Sequence, residues 1–481
     1  MKLIMLAASA ANTSLAFVTP ASAQQQLPAG PPPVAADPAL GGKGLRPDQQ
    51  QTTAGSSAPG PVARWQATNP VGRGLRSLRD KGVTPTMNYI TDTAGNVTGG
   101  LRKKVANTHA VDFGADFDLQ TLFGLENTKV HFQVSQFGGV GLQTIAIGNS
   151  ISPQQSWRPV REAFLSQLNI EHDAGKLNVV AGRMALNTYF FNSPINCAFQ
   201  SVTMCLTNYG PIQTQGITGY PYSSWGLKGR LALNSKLYVQ TGVFDYNPSV
   251  GVQGKNGLDF SFFKGPGIMI PVELGYQTTF KDVAKPGRYK IGAYVNTDGG
   301  ASPFMDARGG SSVLTGEPPA LQDGTRVGLY ALVDQTVSAS KGGARNTAIF
   351  ARMFVNAGTA TAIDWSGFIG VLKTGTFAGR DRDTIGAFVS NTRFSDEQIA
   401  FWRDRRTRVG GTGRPARNEI IGEFNYGFVP LAGIRLIPNV QYVINPDPAF
   451  APTRTRNIPD AIIFGLRLDV RAQDLFGGTL K

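Results

Sequence analysis

Apolar and polar residues alternate with period two along most of the chain. In "VDFGADFDLQ", Val111, Phe113, Ala115, Phe117 and Leu119 alternate with Asp112, Gly114, Asp116, Asp118 and Gln120. Successive side chains of a strand point to opposite faces, so this segment has one apolar face and one polar, acidic face. "VHFQVS" sets Val130, Phe132 and Val134 against His131, Gln133 and Ser135. "LYVQTGVF", "RYKIGAYVN", "IRLIPNVQYVIN" and "IIFGLRLDV" repeat the pattern.

Segments of this kind predict about sixteen strands. Their spans are 83–91, 108–120, 128–136, 162–171, 177–184, 224–232, 236–245, 267–278, 288–297, 325–335, 347–357, 364–374, 383–391, 417–428, 433–444 and 461–471. The connections sort by length. Those near 92–107, 137–161, 185–223, 246–266, 298–324, 392–416 and 445–460 are long, and 358–363 is the short exception. Between them fall 121–127, 172–176, 233–235, 279–287, 336–346, 375–382 and 429–432, none of them long. Short turns on one side and long loops on the other mark a bacterial outer-membrane barrel. A soluble sandwich, which would bury the apolar face between two sheets, has no reason to sort its loops so. The predicted fold is all-β: a transmembrane antiparallel barrel of about sixteen strands, with short periplasmic turns and long outer loops.

Composition agrees. Gly is 58 and charged residues are 16% of 481 positions, which suits turns and strands better than helical packing. The start, "MKLIMLAASAANTSLAFVTPASAQQQ", has Lys2, an apolar stretch and Ala21-Ser22-Ala23, the parts of a signal peptide over 1–23. Residues 24–63, rich in Pro, Gly and Gln, read as a disordered periplasmic linker. The linker is carried to residue 71, where a short helix over 71–81 opens the barrel domain, 72–481. After the signal no apolar run is long enough for a membrane helix. The net charge of +14 suits basic loops against anionic lipid or a basic pore lining; nucleic acid is a poor partner for an exported chain. The densest basic run, "FWRDRRTRVGGTGRPAR", falls in an outer loop, for lipopolysaccharide phosphates or solvation, with anion attraction as the sharper reading.

Enzyme signatures are missing. The only histidines are His109, His131 and His172, and no HExxH, GxSxG or Walker loop occurs. Carboxylate pairs such as Glu419 and Glu423, or Asp112 and Asp116, recur every few residues, as on a charged pore wall. No cofactor or metal is implied: the two cysteines, C-x7-C, lack a second pair for zinc.

At 178–248 the chain resembles the carbohydrate-selective porins of the OprB family. The matching features are Gly182-Arg183-Met184, the Cys197–Cys205 segment with Phe199-Gln200, Trp225-Gly226, and "GVFDYNP". "DKGVTPTMNYITDTAGNVTGG" and "RLIPNVQYVINPDP" are similar to the family's opening and penultimate strands. The likeness runs from about residue 72 to 471. It implies a sixteen-stranded outer-membrane barrel of a Gram-negative bacterium that admits small neutral sugars, glucose-like monosaccharides above all, by passive diffusion. One departure is the end, "RAQDLFGGTLK", where Phe476 stands short of the terminal aromatic position of many barrels. Either recognition by the assembly machinery differs, or Leu475-Phe476 substitutes.

The longest connection, 185–223, is expected to fold inward as the constriction, by analogy with porins generally. Export and proximity predict a Cys197–Cys205 disulfide there, narrowing the loop's ensemble or stapling an outward loop. Sugar passage needs weak, repeated hydrogen bonds and aromatic surfaces. Candidates at lumen parity are Lys228, Arg230, Tyr238, Gln240, Lys290, Tyr294, Arg352, Glu419, Glu423, Arg435 and Gln441. Arg183 joins them at the mouth of the constricting loop. Trp225 is a sugar platform or a member of the interfacial aromatic belt. An anion-preferring or general porin is the second reading, and an outer-membrane enzyme or adhesin the third. A single barrel and a homotrimer both remain open.

Overall fold

The computed structural model describes residues 61–205, 216–262 and 265–480. The predicted signal peptide and nearly all of the linker lie outside them. Among the described residues there are eighteen strands. They are β1 Val83–Thr98, β2 Val105–Asp118, β3 Thr128–Gly139, β4 Ala163–Ala174, β5 Leu177–Met184, β6 Ser224–Ala232, β7 Leu237–Tyr246, β8 Gly267–Gln277, β9 Gly287–Asn296, β10 Ala301–Asp306, β11 Pro319–Leu321, β12 Arg326–Ala339, β13 Asn346–Gly358, β14 Ile363–Thr374, β15 Thr384–Phe394, β16 Asn418–Leu431, β17 Ile434–Ile444 and β18 Ala461–Arg471. Sixteen of them pair in chain order, all antiparallel, into a closed barrel. β1 meets β18 from Asn88↔Arg471 to Asn96↔Ile463, so no edge is left. β9 pairs directly with β12, and β10–β11 form a separate hairpin in the intervening connection.

All sixteen predicted segments are barrel strands. The alternation is an alternation of environment: Ile291 is 62% exposed on the outer wall, whereas neighbouring Lys290 is 6% exposed inside. Phe113, Leu227, Leu329, Ile369 and Phe464 likewise line the outside, where lipid replaces water as the solvent for apolar side chains. Leu119, which the alternation assigns to a strand, instead starts a short helix capped by the Asp118 carboxylate.

One correction concerns the start of the described residues. Residues read as the close of the linker form a helix, Pro61–Thr68, followed by Pro70–Asp80. This pair clasps the chain's far end. Gln66 donates to the carbonyls of Asp474 and Leu475, Asn69 to that of Phe476, and Arg76 to that of Gly477. The rings of Trp65 and Phe476 lie 5.9 Å apart. Phe476 sits beyond β18, after the helical turn Ala472–Leu475. Asn69 has a second task, accepting the Gly72 N–H at 2.7 Å as the helix N-cap. Asn69→Ala removes both bonds. It is expected to cost about 1–2 kcal/mol and to lower the midpoint of heat unfolding read by gel mobility; an unchanged midpoint means the clasp adds no stability.

The basic run is also more ordered than its composition suggests. Asp396–Arg408 is a helix, capped by Ser395, with acids in its first turn and Arg405, Arg406 and Arg408 in its last, as the helix dipole favours. Ile399 and Trp402 are buried, and Trp402 packs on Phe394. Arg408 donates to the Val313 carbonyl, Arg406 to Asn457, and Arg414 and Arg417 pair with Asp396. Much of this charge is thus committed within the outer loops.

Candidate functional site

Two long connections fold into the lumen, where one was expected. The first, 140–162, is held by side chains of distant strands. Gln154 donates to the carbonyls of Asp92 and Ala106, and Ser156 donates its N–H and hydroxyl to the Asp92 carboxylate at 2.8 and 2.5 Å. Asn149 donates to Glu419 at 2.6 Å, and Gln441 to the Pro153 carbonyl at 3.0 Å. Asp447, from the last outer connection, accepts from the Ser150 N–H and hydroxyl. Burial leaves the Asp447 carboxyl above its ordinary range, although the hydrogen bonds from Ser150 oppose the shift.

The second belongs to 185–223, the expected constriction loop, of which residues 185–205 and 216–223 are described. Glu423 accepts the N–H groups of Gln200 and Ser201 at 2.9 and 2.8 Å. Asn425 donates to the Ala198 carbonyl, Arg467 to that of Phe199, and Asn439 to the Gln200 side chain. On the opposite wall Ser193 donates to Asp334 at 2.6 Å, and Gln240 to the Tyr189 carbonyl at 3.0 Å. Phe191, held at φ 61°, places its ring 4.6 Å from Tyr330 and 5.7 Å from Tyr294. Phe199 packs edge-on against Phe388. Tyr220 donates to Asp112; burial first, then the Asp112 charge, holds its hydroxyl well above the ordinary tyrosine range, so it remains a donor.

The cysteine segment is therefore inside the barrel. Cys197 is a free, half-buried thiol, so the expected bond to Cys205 is not formed here; the Cys205 side chain lies outside the described residues. The backbone around it is held by Glu423, Asn425 and Arg467, which supply the restraint the disulfide was invoked for.

Six of the thirteen expected residues meet on adjacent strands. Lys228, Arg230, Tyr238, Gln240, Lys290 and Tyr294 all face inward on β6, β7 and β9. For Tyr238, Gln240 and Lys290 the hub is Glu273 of β8, fully buried, while Lys228 donates to Asn178 and Tyr294 to Asn356. Glu273 accepts from Tyr238 at 2.8 Å, Gln240 at 2.8 Å and Tyr330 at 3.0 Å, and pairs with Lys290 at 3.3 Å. The Arg230 guanidinium lies 3.8 Å over the Tyr238 ring. The rings lie flat because glycine stands beneath them. A Cβ at Gly275 would come within 2.2 Å of Tyr238, and one at Gly292 within 2.3 Å of Tyr330.

Arg352, Glu419, Glu423 and Gln441 also face inward, but they serve the loops. Arg352 is wholly buried, bonded to Asp334 at 2.5 Å and to Asn196. Arg435 donates to Thr384 near the periplasmic rim. Arg183 requires correction, and of the two readings of Trp225 the outward one fits. They are cross-strand partners on the parity of Leu177 and Leu227, which face outward. Arg183 donates to the carbonyls of Ser223, Gly257 and Asp259, so the stretch 257–259 covers it on the outer side. Trp225 stacks on Phe262 at 4.2 Å, in the manner of an aromatic belt. Their place next to the constricting loop in sequence says nothing about parity, which decides the side.

Glu273, Tyr330 and Asp334 were missed. Their signal was present: in "PVELGYQ" and "GLYALVD" they alternate with outward Val272, Leu274, Leu329 and Val333.

The model of the family described as "Carbohydrate-selective porin, OprB family" matches residues 102–471. Porin B of Pseudomonas aeruginosa is 26% identical over 404 residues, 80% of this chain and 88% of that protein. Among solved structures, the high-pH form of Pseudomonas putida OprB is similar with a TM-score of 0.75 and 24% identity, over 84% of this chain and 97% of that one. The low-pH form of the same protein gives 0.52 and 19%, over the same shares. The match spans most of the barrel, including the inward connections and the wall around Glu273: the chain belongs to the carbohydrate-selective porins of the OprB family and is an outer-membrane channel of a Gram-negative bacterium.

Proposed function

We propose that the channel passes small neutral sugars, glucose-like monosaccharides in particular, along the wall built around Glu273. The observation that carries this reading is the balance of that wall. Hydroxyl groups need donors and acceptors side by side, and here Arg230, Lys290 and Gln240 alternate with Glu273, Tyr238 and Tyr330. The Tyr238 ring lies under the Arg230 guanidinium and the Tyr330 ring against Phe191, so the aromatic side chains hold these donors and acceptors in place. Each contact is weak and exchangeable, which conduction requires. The loops 140–162 and 185–223 restrict the passage to small solutes.

The net charge of +14 by itself would favour anions. Inside the barrel, however, Lys290 pairs with Glu273 and Arg352 with Asp334, which offsets part of that charge along the wall. Liposome swelling with sugars of graded size and stereochemistry tests the reading. Hexoses are expected to enter faster than disaccharides, and stereoisomers of one size at unequal rates. Equal rates for all solutes of one size, with strong anion preference in the reversal potential, would establish the anion porin instead.

A further inference from the structure

Below the constricting loop the wall holds a cavity that none of the residues above explains. Its volume is about 110 Å³, and it lies at the periplasmic ends of β8, β9, β12, β13 and β14. The tip of the inward loop, Pro194 and Ile195, borders it. Two buried threonines, Thr336 and Thr374, line it, and among the described residues neither hydroxyl has a hydrogen-bond partner. Both hydroxyl oxygens are open to the cavity rather than sealed in the wall, so a bound group can reach them. Arg288 and Asp334 also line the cavity, 3.9 Å apart: opposite charges side by side, too far for a direct hydrogen bond.

We propose that this cavity is a second sugar subsite, on the exit side of the constriction, taking one ring of a neutral sugar; it rests on the sugar-channel reading. Arg288 donates to one hydroxyl of the ring and Asp334 accepts from its neighbour. Thr336 and Thr374 complete the set, each able to donate or accept. Ile195 and Leu372 give the ring's C–H face an apolar surface. Asp334 also holds Arg352, which is wholly buried behind it and does not line the cavity; what suits the lining to a polyol is a donor and an acceptor side by side. A sugar that has passed the loop is held here before release to the periplasm. Sugar arriving from the periplasm reaches the site without crossing the constriction.

The test is current block by glucose in planar bilayers containing the oriented full-length channel, with sugar added to each side in turn. For the double variant Thr336→Val with Thr374→Val, the half-blocking concentration from the periplasmic side is expected to rise about tenfold, two lost hydrogen bonds' worth. From the outer side it should rise much less. The pair Thr336→Ser with Thr374→Ser keeps both hydroxyls and is expected to restore the wild-type value, which a purely packing role would not do. Arg288→Gln is read the same way if the valine pair does not assemble. A wild-type channel that glucose blocks from neither side overturns the sugar reading itself. A wild-type block that persists at the same concentration in the variants overturns the subsite alone.

Discussion

Glu423→Ala is expected to raise single-channel conductance in potassium chloride at least twofold and to abolish discrimination among hexoses. The Glu423 carboxylate is the only described acceptor for the Gln200 and Ser201 N–H groups, both buried within the lumen. Each N–H left without a partner costs about 1–3 kcal/mol, so the inward position of this part of the loop loses several kcal/mol against positions that reach water. The neighbouring bonds from Asn425 and Arg467 hold only single carbonyls and do not replace it. Glu423→Gln keeps one acceptor oxygen and is expected to fall between. Wild-type conductance and wild-type sugar discrimination in the alanine variant would show that the loop is held elsewhere.

Glu273→Ala acts on charge rather than on the loop. It removes the partner of Lys290, whose side chain is 4% exposed, and the acceptor for two tyrosines and Gln240. A buried charge stripped of its partner typically costs about 3–5 kcal/mol; here water entering the lumen relieves part of it and leaves a positive wall. The expected result is a shift of the reversal potential toward chloride in a salt gradient, together with weaker block by glucose. Glu273→Gln keeps the hydrogen bonds to the tyrosines and is expected to shift the potential while keeping more of the block. An unshifted potential in both variants would mean that Lys290 does not face the permeating ions.

Both variants turn on contacts between residues far apart in the chain, and this is where the sequence stops being legible. Glu423 stands at lumen parity in "IIGEFNYG", and its alternation announces that side correctly. Nothing near it announces that it grips Gln200, 223 positions away. The same holds for Gln441 and Pro153, or Asp92 and Ser156. Arg183 failed for a related reason. Its family pattern and its closeness to the loop suggested the pore, while its register opposite Trp225 puts it on the outer wall.

By itself the sequence determined the barrel: sixteen strands, their ends to within a few residues in most cases, and the face each side chain shows. That follows because every strand residue meets either lipid or lumen, so the environment is written locally, one residue at a time, with period two. Only the tertiary structure decided what fills the lumen. Whether 140–162 enters beside 185–223, and which carboxylates hold them, depends on which distant strands close around them. A loop's composition does not encode the partner that satisfies its backbone. That partner is supplied by the opposite wall, and only once the barrel has closed.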